Sequence, residues 1–233
     1  LPGRPDLALA SMGIYVFNAR FLFEQLQRDA DDPKSSHDFG KDVIPHCVKR
    51  YRTFAQSFTD SHVGDPDKPP YWRDVGTLDA YWEANMDLVQ VNPQLNLYDE
   101  NWPLWTWQPQ SPPAKFVFDD DTRRGIAVNS LASGGCIISG ATVRRSMLFS
   151  GVFVDSYTVV EDSIVLPSVH IGQNCLLKKC IIDRNCRIPD GTQIGVDPEK
   201  DRLRFRVTAS GIVLVSRAML DQDFSAMRTY ETS

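Results

Sequence analysis

The sequence predicts an α/β segment followed by an all-β parallel β-helix. Two apolar ladders with a step close to six, and strand–helix alternation ahead of them, carry that prediction. The first ladder is Val154, Val160, Leu166, Ile171, Leu177, Ile182, Ile188 and Ile194. The second lies two residues earlier: Val152, Thr158, Ile164, Val169, Cys175, Cys180, Cys186 and Thr192. After each first-ladder rung comes Asp155, Glu161, Pro167, Gly172, Lys178, Asp183, Pro189 or Gly195. Each unit reads inward, outward, inward, corner, which is a short strand and a turn. The step drops to five at Val169 and Cys180, where both ladders slip together. Helical spacing near 3.6 cannot give this pattern, and sandwich strands recur at roughly 8–12 residues. A fixed short repeat signals a solenoid with one strand per side of each coil, here expected from about Cys136.

Ahead of the ladders, residues 9–17 (LASMGIYVF) read as a buried strand. Asn18 to Ala30 reads as an amphipathic helix, with Phe21, Leu22, Leu26 and Ala30 at helical spacing. Residues 31–36 form a polar loop. A second helix is expected over His37–Lys49 with Ser36 as N-cap. Arg52–Phe58 alternates like a strand, and 64–70 is a charged, Pro-rich loop. A third helix spans Thr77–Val89, capped by Thr77 or Gly76. This alternation is α/β in style. The Pro/Trp-rich stretch 92–113 has no period and reads as a connector on the surface of both halves, held by Trp102, Trp105 and Trp107. After Gly195 a charged segment carries Arg202, Arg204 and Arg206 on a strand. Gly211–Val215 is a final strand, Ser216–Leu220 a short helix, and 221–233 a disordered tail. The domain expectation is 1–91 for the α/β part, 92–132 for the connector, 133–220 for the β-helix and 221–233 for the tail.

Bulk properties narrow the function classes. At 233 residues there is room for one large domain or two smaller ones. A net charge of −5 argues against nucleic-acid binding. No apolar run approaches the ~18–20 residues of a bilayer span, and no signal peptide opens the chain. Five cysteines without a C-x-x-C pair read as buried free thiols, suited to a reducing cytoplasm. The chain opens at Leu1 without Met, directly before a strong apolar segment. A preceding segment is therefore expected.

Four groups carry candidate chemistry. Tyr71-Trp72-Arg73-Asp74-Val75-Gly76-Thr77 places a carboxylate before a helix. Asp74 is suited to Mg²⁺, which takes one or two carboxylates plus substrate phosphates, and Trp72 to stacking on a sugar. The alternative is a loop acid among core aromatics. Asp38, in Ser36–Asp42, suits sugar hydroxyls or simple helix capping. His170 fits the general base of a solenoid acyltransferase or a lone surface histidine. A three-His zinc site is disfavoured, because His37, His46 and His62 lie outside the repeat. Arg202, Arg204 and Arg206, with Arg144 and Arg145, suit an anion site or a solvated basic edge.

These blocks resemble a known family. Residues 8–17 (ALASMGIYVF), 35–45 (SSHDFGKDVIP), 70–88 (PYWRDVGTLDAYWEANMDL), 112–117 (PPAKFV), 133–141 (SGGCIISGA) and 204–220 are similar to bacterial glucose-1-phosphate adenylyltransferases. The resemblance runs from about residue 8 to 220. It implies the C-terminal part of a Rossmann-like nucleotidyltransferase domain, then a left-handed β-helix. The implied reaction is ATP plus glucose 1-phosphate giving ADP-glucose and pyrophosphate, with Mg²⁺, in glycogen synthesis. The implied sugar-phosphate pocket is Ser11, Tyr15, Asp38, Phe39, Trp72 and Asp74, with Asp74 as catalytic residue and Mg²⁺ ligand. A cytoplasmic homotetramer under allosteric control is implied, with phosphorylated or glycolytic effectors near Arg202, Arg204 and Arg206. The family's arginines near Gly151 and Phe153 are not matched. Its Gly-rich ATP loop, second metal-binding Asp and sugar-phosphate Lys are not in these residues, so the chain alone is expected to be inactive. The alternatives are a hexapeptide-repeat acyltransferase, marked by binding of acetyl-CoA, and a non-catalytic regulatory subunit of the same family.

Overall fold

A computed structural model describes residues 5, 6, 8, 10–61 and 70–222. The chain divides into two units, residues 1–62 and 63–233. The expected loop at 64–70, apart from Pro70, and the expected disordered tail from residue 223 lie outside the described residues.

In the first unit, α1 is Ala19–Ala30. Asn18 starts it, its side-chain oxygen accepting from Arg20 N (3.1 Å) and Phe21 N (3.4 Å). The buried face differs from the expected one. Gln25 and Asp29 are buried, Phe21 and Leu22 are half-buried, and Leu26 and Ala30 are exposed. The second helix also differs: a π-helical turn, Phe39–Val43, runs into α2, Ile44–Arg50. Pro45 has no N–H for an ordinary turn, and the ladder widens ahead of it. Val43 N donates back to Asp38 O (3.2 Å). The cap is Asp38, which accepts from Lys41 N, and Ser36 instead binds Asp42.

Two expected strands do not form. Residues 10–17 carry no strand, and Ile14 and Val16 are 76% and 98% exposed. Residues 52–57 have no regular structure before a 3₁₀ turn at Phe58–Ser61. All strands among the described residues lie between Lys115 and Val215. Among the described residues neither segment pairs with a strand, and alternation without a ladder leaves the backbone to water.

The second unit begins with α3, Leu78–Leu88, capped by Thr77 Oγ1 accepting from Ala80 N (3.1 Å). Residues 89–114 carry no helix or strand. Trp105 and Trp107 are 94% and 83% exposed, so they do not pin this stretch down. Strands begin at Lys115, inside the expected connector, and form three parallel faces. Face one stacks Lys115–Val117, Ile137–Ser139, Phe153–Val154, His170–Ile171 and Arg187–Ile188. Face two stacks Ile126–Val128, Thr142–Arg144, Val159–Glu161, Leu176–Lys178 and Gln193–Ile194. Face three stacks Leu131–Ala132, Met147–Leu148, Ile164–Val165, Cys180–Ile182 and Val213–Val215, flanked by antiparallel Arg206–Val207.

Register fixes the period. Val143, Val160, Leu177 and Ile194 stack on one another, as do Leu148, Val165 and Ile182. The coil is therefore 17 residues, in steps of five, six and six. This moves one expected rung on each ladder. Val165 and Ser163 point inward, both fully buried, and Ile164 and Leu166 belong to the outer side of face three. The first five-residue step falls at Val165, not at Ile171. The cause is α3. Its Met86, followed by Val89, packs with Met147, Ile164, Ile181 and Ile212, joined by the half-buried Leu166. Face three is thus apolar on both sides, which hides the alternation.

The segment after the coils is also corrected. Pro198–Arg204 is a helix, α4, with Asp197 accepting from Glu199 N and Lys200 N. Asp at the N-cap and Pro at the first turn explain it. Val213–Val215 and a 3₁₀ turn at Ala218–Leu220 close the fold.

Candidate functional site

The expected site residues fall into two sets, one in each unit. In the first unit, Gly13 turns the chain at φ +75°, letting its N–H donate to Ser11 Oγ (3.1 Å). Ser11 Oγ lies 2.8 Å from Tyr15 Oη. The Tyr15 ring stacks on Phe39, with centroids 6.0 Å apart and planes at 14°. Phe17 meets Phe39 edge-on at 6.2 Å. Asp38 precedes Phe39, exposed, with Oδ1 held by Lys41 N (2.8 Å). Among the described residues its Oδ2 takes no hydrogen bond. Ser11, Tyr15, Asp38 and Phe39 thus form one local group with two hydroxyls, a carboxylate oxygen and an aromatic face.

Sequence reasoning missed the residue that shapes this loop. Asp42 Oδ2 accepts from Ser36 Oγ (2.8 Å), Ser36 N (3.1 Å) and Asp38 N (3.2 Å). The Asp38 N–H, then the Ser36 hydroxyl, hold the Asp42 carboxyl below the usual carboxylate range. The signal was a serine and an aspartate six apart around a His-Asp pair. An acid in a helix's first turn is expected for the dipole alone and draws no notice.

In the second unit, Trp72 is half exposed and Asp74 exposed. Asp74 Oδ1 accepts from Gly76 N (3.0 Å), and among the described residues its Oδ2 takes no hydrogen bond. Arg73 Nη2 donates to Gln94 Oε1 (3.0 Å), steadying the loop. One fixed and one open oxygen suit a single carboxylate position on Mg²⁺, the rest being filled by water and phosphate. No cluster of three or more His, Cys, Asp or Glu that would hold a metal alone occurs among the described residues. Tyr81 and Trp82, farther along α3, pack on the solenoid; Trp82 Nε1 donates to Asp162 O (2.8 Å).

The arginines do not form one row. Arg202 sits in α4 and pairs with Glu199. Arg204 lies over the Phe205 ring at 4.6 Å. Arg206 is on the flanking strand and exposed. Arg145 makes a two-bond pair with Asp162 (2.6 and 2.9 Å), and Arg144 faces Glu161 at 3.9 Å. Arg145 is thus neutralised by the next coil, whereas Arg144 shares Glu161 with Lys178, which lies at 3.3 Å. The His170 ring rests 4.7 Å from that of Phe153 and, among the described residues, belongs to no metal cluster. The five cysteines are buried and free. Burial pushes the Cys180 thiol up to about 12 and the Cys186 thiol up to about 11.

Two cavities stand out. One, about 360 Å³, opens on the solenoid beside the Asp119–Arg124 hairpin, Gly140 and Tyr157. The other, about 270 Å³, lies in the first unit beside Arg28, Lys41 and His46. Neither takes in the expected sugar-phosphate residues. No helix among the described residues is long and apolar enough to cross a membrane.

Comparison with known proteins agrees with this two-part reading. Residues 2–91 match the family model for nucleotidyl transferases, and residues 112–215 the model described as GlmU-like, C-terminal hexapeptide. The chain is 64% identical over 222 residues to the glucose-1-phosphate adenylyltransferase of Dechloromonas aromatica, covering 95% of this chain and 50% of that protein. It is 62% identical to those of Nitrosospira multiformis and Methylobacillus flagellatus, covering 98% of this chain and 54% and 53% of them. The chain spans about half the length of the curated relatives it matches. With a nucleotidyltransferase segment ahead of a hexapeptide solenoid, it is a homologue of the glucose-1-phosphate adenylyltransferases over nearly all of its own length.

Proposed function

We propose that this chain supplies the sugar-phosphate side and the solenoid of a glucose-1-phosphate adenylyltransferase. The complete reaction joins ATP and glucose 1-phosphate to give ADP-glucose and pyrophosphate. The observation that carries the reading is the 64% identity across the chain. The local group of Ser11, Tyr15, Asp38 and Phe39 supports it, since hydroxyls, a carboxylate and a flat apolar ring are what a sugar requires.

In this reading Tyr15 and Ser11 bind sugar hydroxyls or phosphate oxygens, while Asp38 accepts from a sugar hydroxyl through its open oxygen. Phe39 and Trp72 offer faces to the ring. Asp74 is the catalytic carboxylate and would hold Mg²⁺ through Oδ2, with Gly76 N fixing Oδ1. Bound there, Mg²⁺ supplies charge neutralisation on transferring phosphates. The chain's own residues orient the sugar phosphate for in-line attack on the α-phosphorus, with no covalent enzyme intermediate. A cytoplasmic homotetramer and phosphorylated effectors acting near Arg202, Arg204 and Arg206 belong to the same proposal.

A chimera tests it. The first half of the Dechloromonas aromatica relative, joined to this chain, should form ADP-glucose from ATP and glucose 1-phosphate with Mg²⁺. Asp74→Asn in the chimera should lower kcat by about two orders of magnitude or more. A folded chimera without product, or full activity in Asp74→Asn, would overturn the assignment.

A further inference from the structure

We propose that the cleft formed by the end of α1, the loop after it and α2 is a binding site for a phosphate-type dianion. It is separate from the Ser11–Tyr15–Asp38–Phe39 group. The cleft has a volume of about 270 Å³, room for a phosphate or a small phosphomonoester. Arg28, Lys34, Lys41, Lys49 and Arg50 line it, against the carboxylates Asp29, Asp32 and Asp42.

The carboxylates are already engaged by the chain. Asp29 accepts from Ser35 Oγ (2.8 Å) and faces His37 Nδ1 at 3.1 Å. Asp32 accepts from Lys34 N (2.9 Å), and Asp42 takes the three bonds described above. The cations are not so engaged. Among the described residues Lys34, Lys41, Lys49 and Arg50 make no ion pair. Arg28 approaches only Asp29, at 3.8 Å, and its Nε and Nη2 are buried without a hydrogen-bond partner. Those two nitrogens are the adjacent pair with which a guanidinium grips two oxygens of one anion. Only the Asp29 charge at 3.8 Å offsets their desolvation, and hydrogen bonds to an anion would complete that offset.

His46 adds a directional donor. Arg50 Nη1 lies 2.9 Å from His46 Nδ1. A guanidinium only donates, so Nδ1 accepts and the ring proton sits on Nε2. Burial first, then the Arg28 and Arg50 charges, lower the His46 pKa, with Asp29 opposing. The ring is thus a neutral N–H donor in a positive field. Cations in excess, a bidentate fork without a hydrogen-bond partner and a neutral donor form the chemistry that receives phosphate.

The whole chain, labelled with ¹⁵N, would be titrated with inorganic phosphate at constant ionic strength, with glucose 1-phosphate as a second arm. Saturable shifts at His46, Lys49 and Arg50 are expected. Arg28→Gln should weaken the affinity about tenfold or more, and the exposed Lys49→Gln by a smaller factor. Tighter binding of glucose 1-phosphate at these same residues would make a phosphomonoester the ligand. Linear shifts without saturation, or unchanged affinity in both variants, would overturn the site. Shifts at Tyr15 and Phe39 report on the sugar-phosphate group instead, and Lys49→Gln should leave them unchanged.

Discussion

Gly191 and Gly195 share a left-handed backbone, at φ +71° and +75°, but not the same surroundings. A Cβ at Gly191 meets nothing within 4 Å, whereas one at Gly195 falls 1.7 Å from Lys178 O in the preceding coil. Gly191→Ala should therefore cost only the left-handed penalty, about 1–2 kcal/mol. Gly195→Ala must also push two coils apart and should cost more than about 3 kcal/mol. Urea midpoints of the two variants check this, and equal losses would show that the coil spacing yields easily. The same scale shows what the sequence could not reveal. Leu166 and Val165 are both apolar, and a six-residue count selects Leu166. Only the 17-residue register, Val165 on Leu148 and Ile182, identifies the inward rung. Asp38 and Asp74 stand out in the sequence as candidates, each in a short motif. That each has one oxygen fixed by a backbone N–H and one open is a property of turn geometry, and residue types do not encode it.

At the scale of elements, α3 is the informative case. Its sequence reads as a helix of the α/β part, yet its apolar side covers face three of the solenoid. Its first turn is latched there too. Asp79 Oδ1 accepts from Thr208 Oγ1 (2.8 Å) and from Ser210 Oγ, and Lys179 Nζ donates to Ser210 O (2.6 Å). The Ser210 hydroxyl, then that of Thr208, lower the Asp79 pKa from 3.8. A depressed carboxylate stabilises the fold above its unfolded pKa, and that contribution fades as pH falls through the folded value. The latch should hold at neutral pH and loosen below about pH 4. Hydrogen exchange at the Trp82 indole, bonded to Asp162 O, reads the docking. Protection, the rate relative to free indole at the same pH, should fall in acid, and Asp79→Asn should show the lower protection already at neutral pH without further loss below pH 4. An acid loss of protection equal in both proteins would place the response elsewhere. The helix α4 marks the opposite failure of reading. Asp197-Pro198 is a helix start by its chemistry, but three arginines at alternate positions suggested a strand, and one strong local signal was outweighed by a periodic weak one.

Across the whole molecule the two units differ in how much apolar surface they enclose. Among the described residues of the first, the buried apolar side chains are Val43 and Cys47. The second encloses an unbroken column from Cys136 to Val215. The cysteines sample both: Cys47 in the first unit, and Cys136, Cys175, Cys180 and Cys186 in the solenoid. Burial raises every one of these thiols, with Cys180 at about 12 and Cys186 at about 11, while the Arg28 charge works against the rise at Cys47. A raised thiol pKa favours the neutral form. Its stabilising share is complete below the unfolded value of 9.0 and is lost as pH climbs toward the folded one. The thiolate is the species that alkylates, so at mildly alkaline pH a solenoid cysteine reacts only when its coil opens. Each inner coil is paired on both sides, so opening one exposes its neighbours and the four should become reactive together. Iodoacetamide pulses in rising urea, read by intact mass, should show one adduct first, at Cys47, and then a step to five. Stepwise labelling of the four solenoid thiols ahead of Cys47 would mean that the column is not one cooperative core.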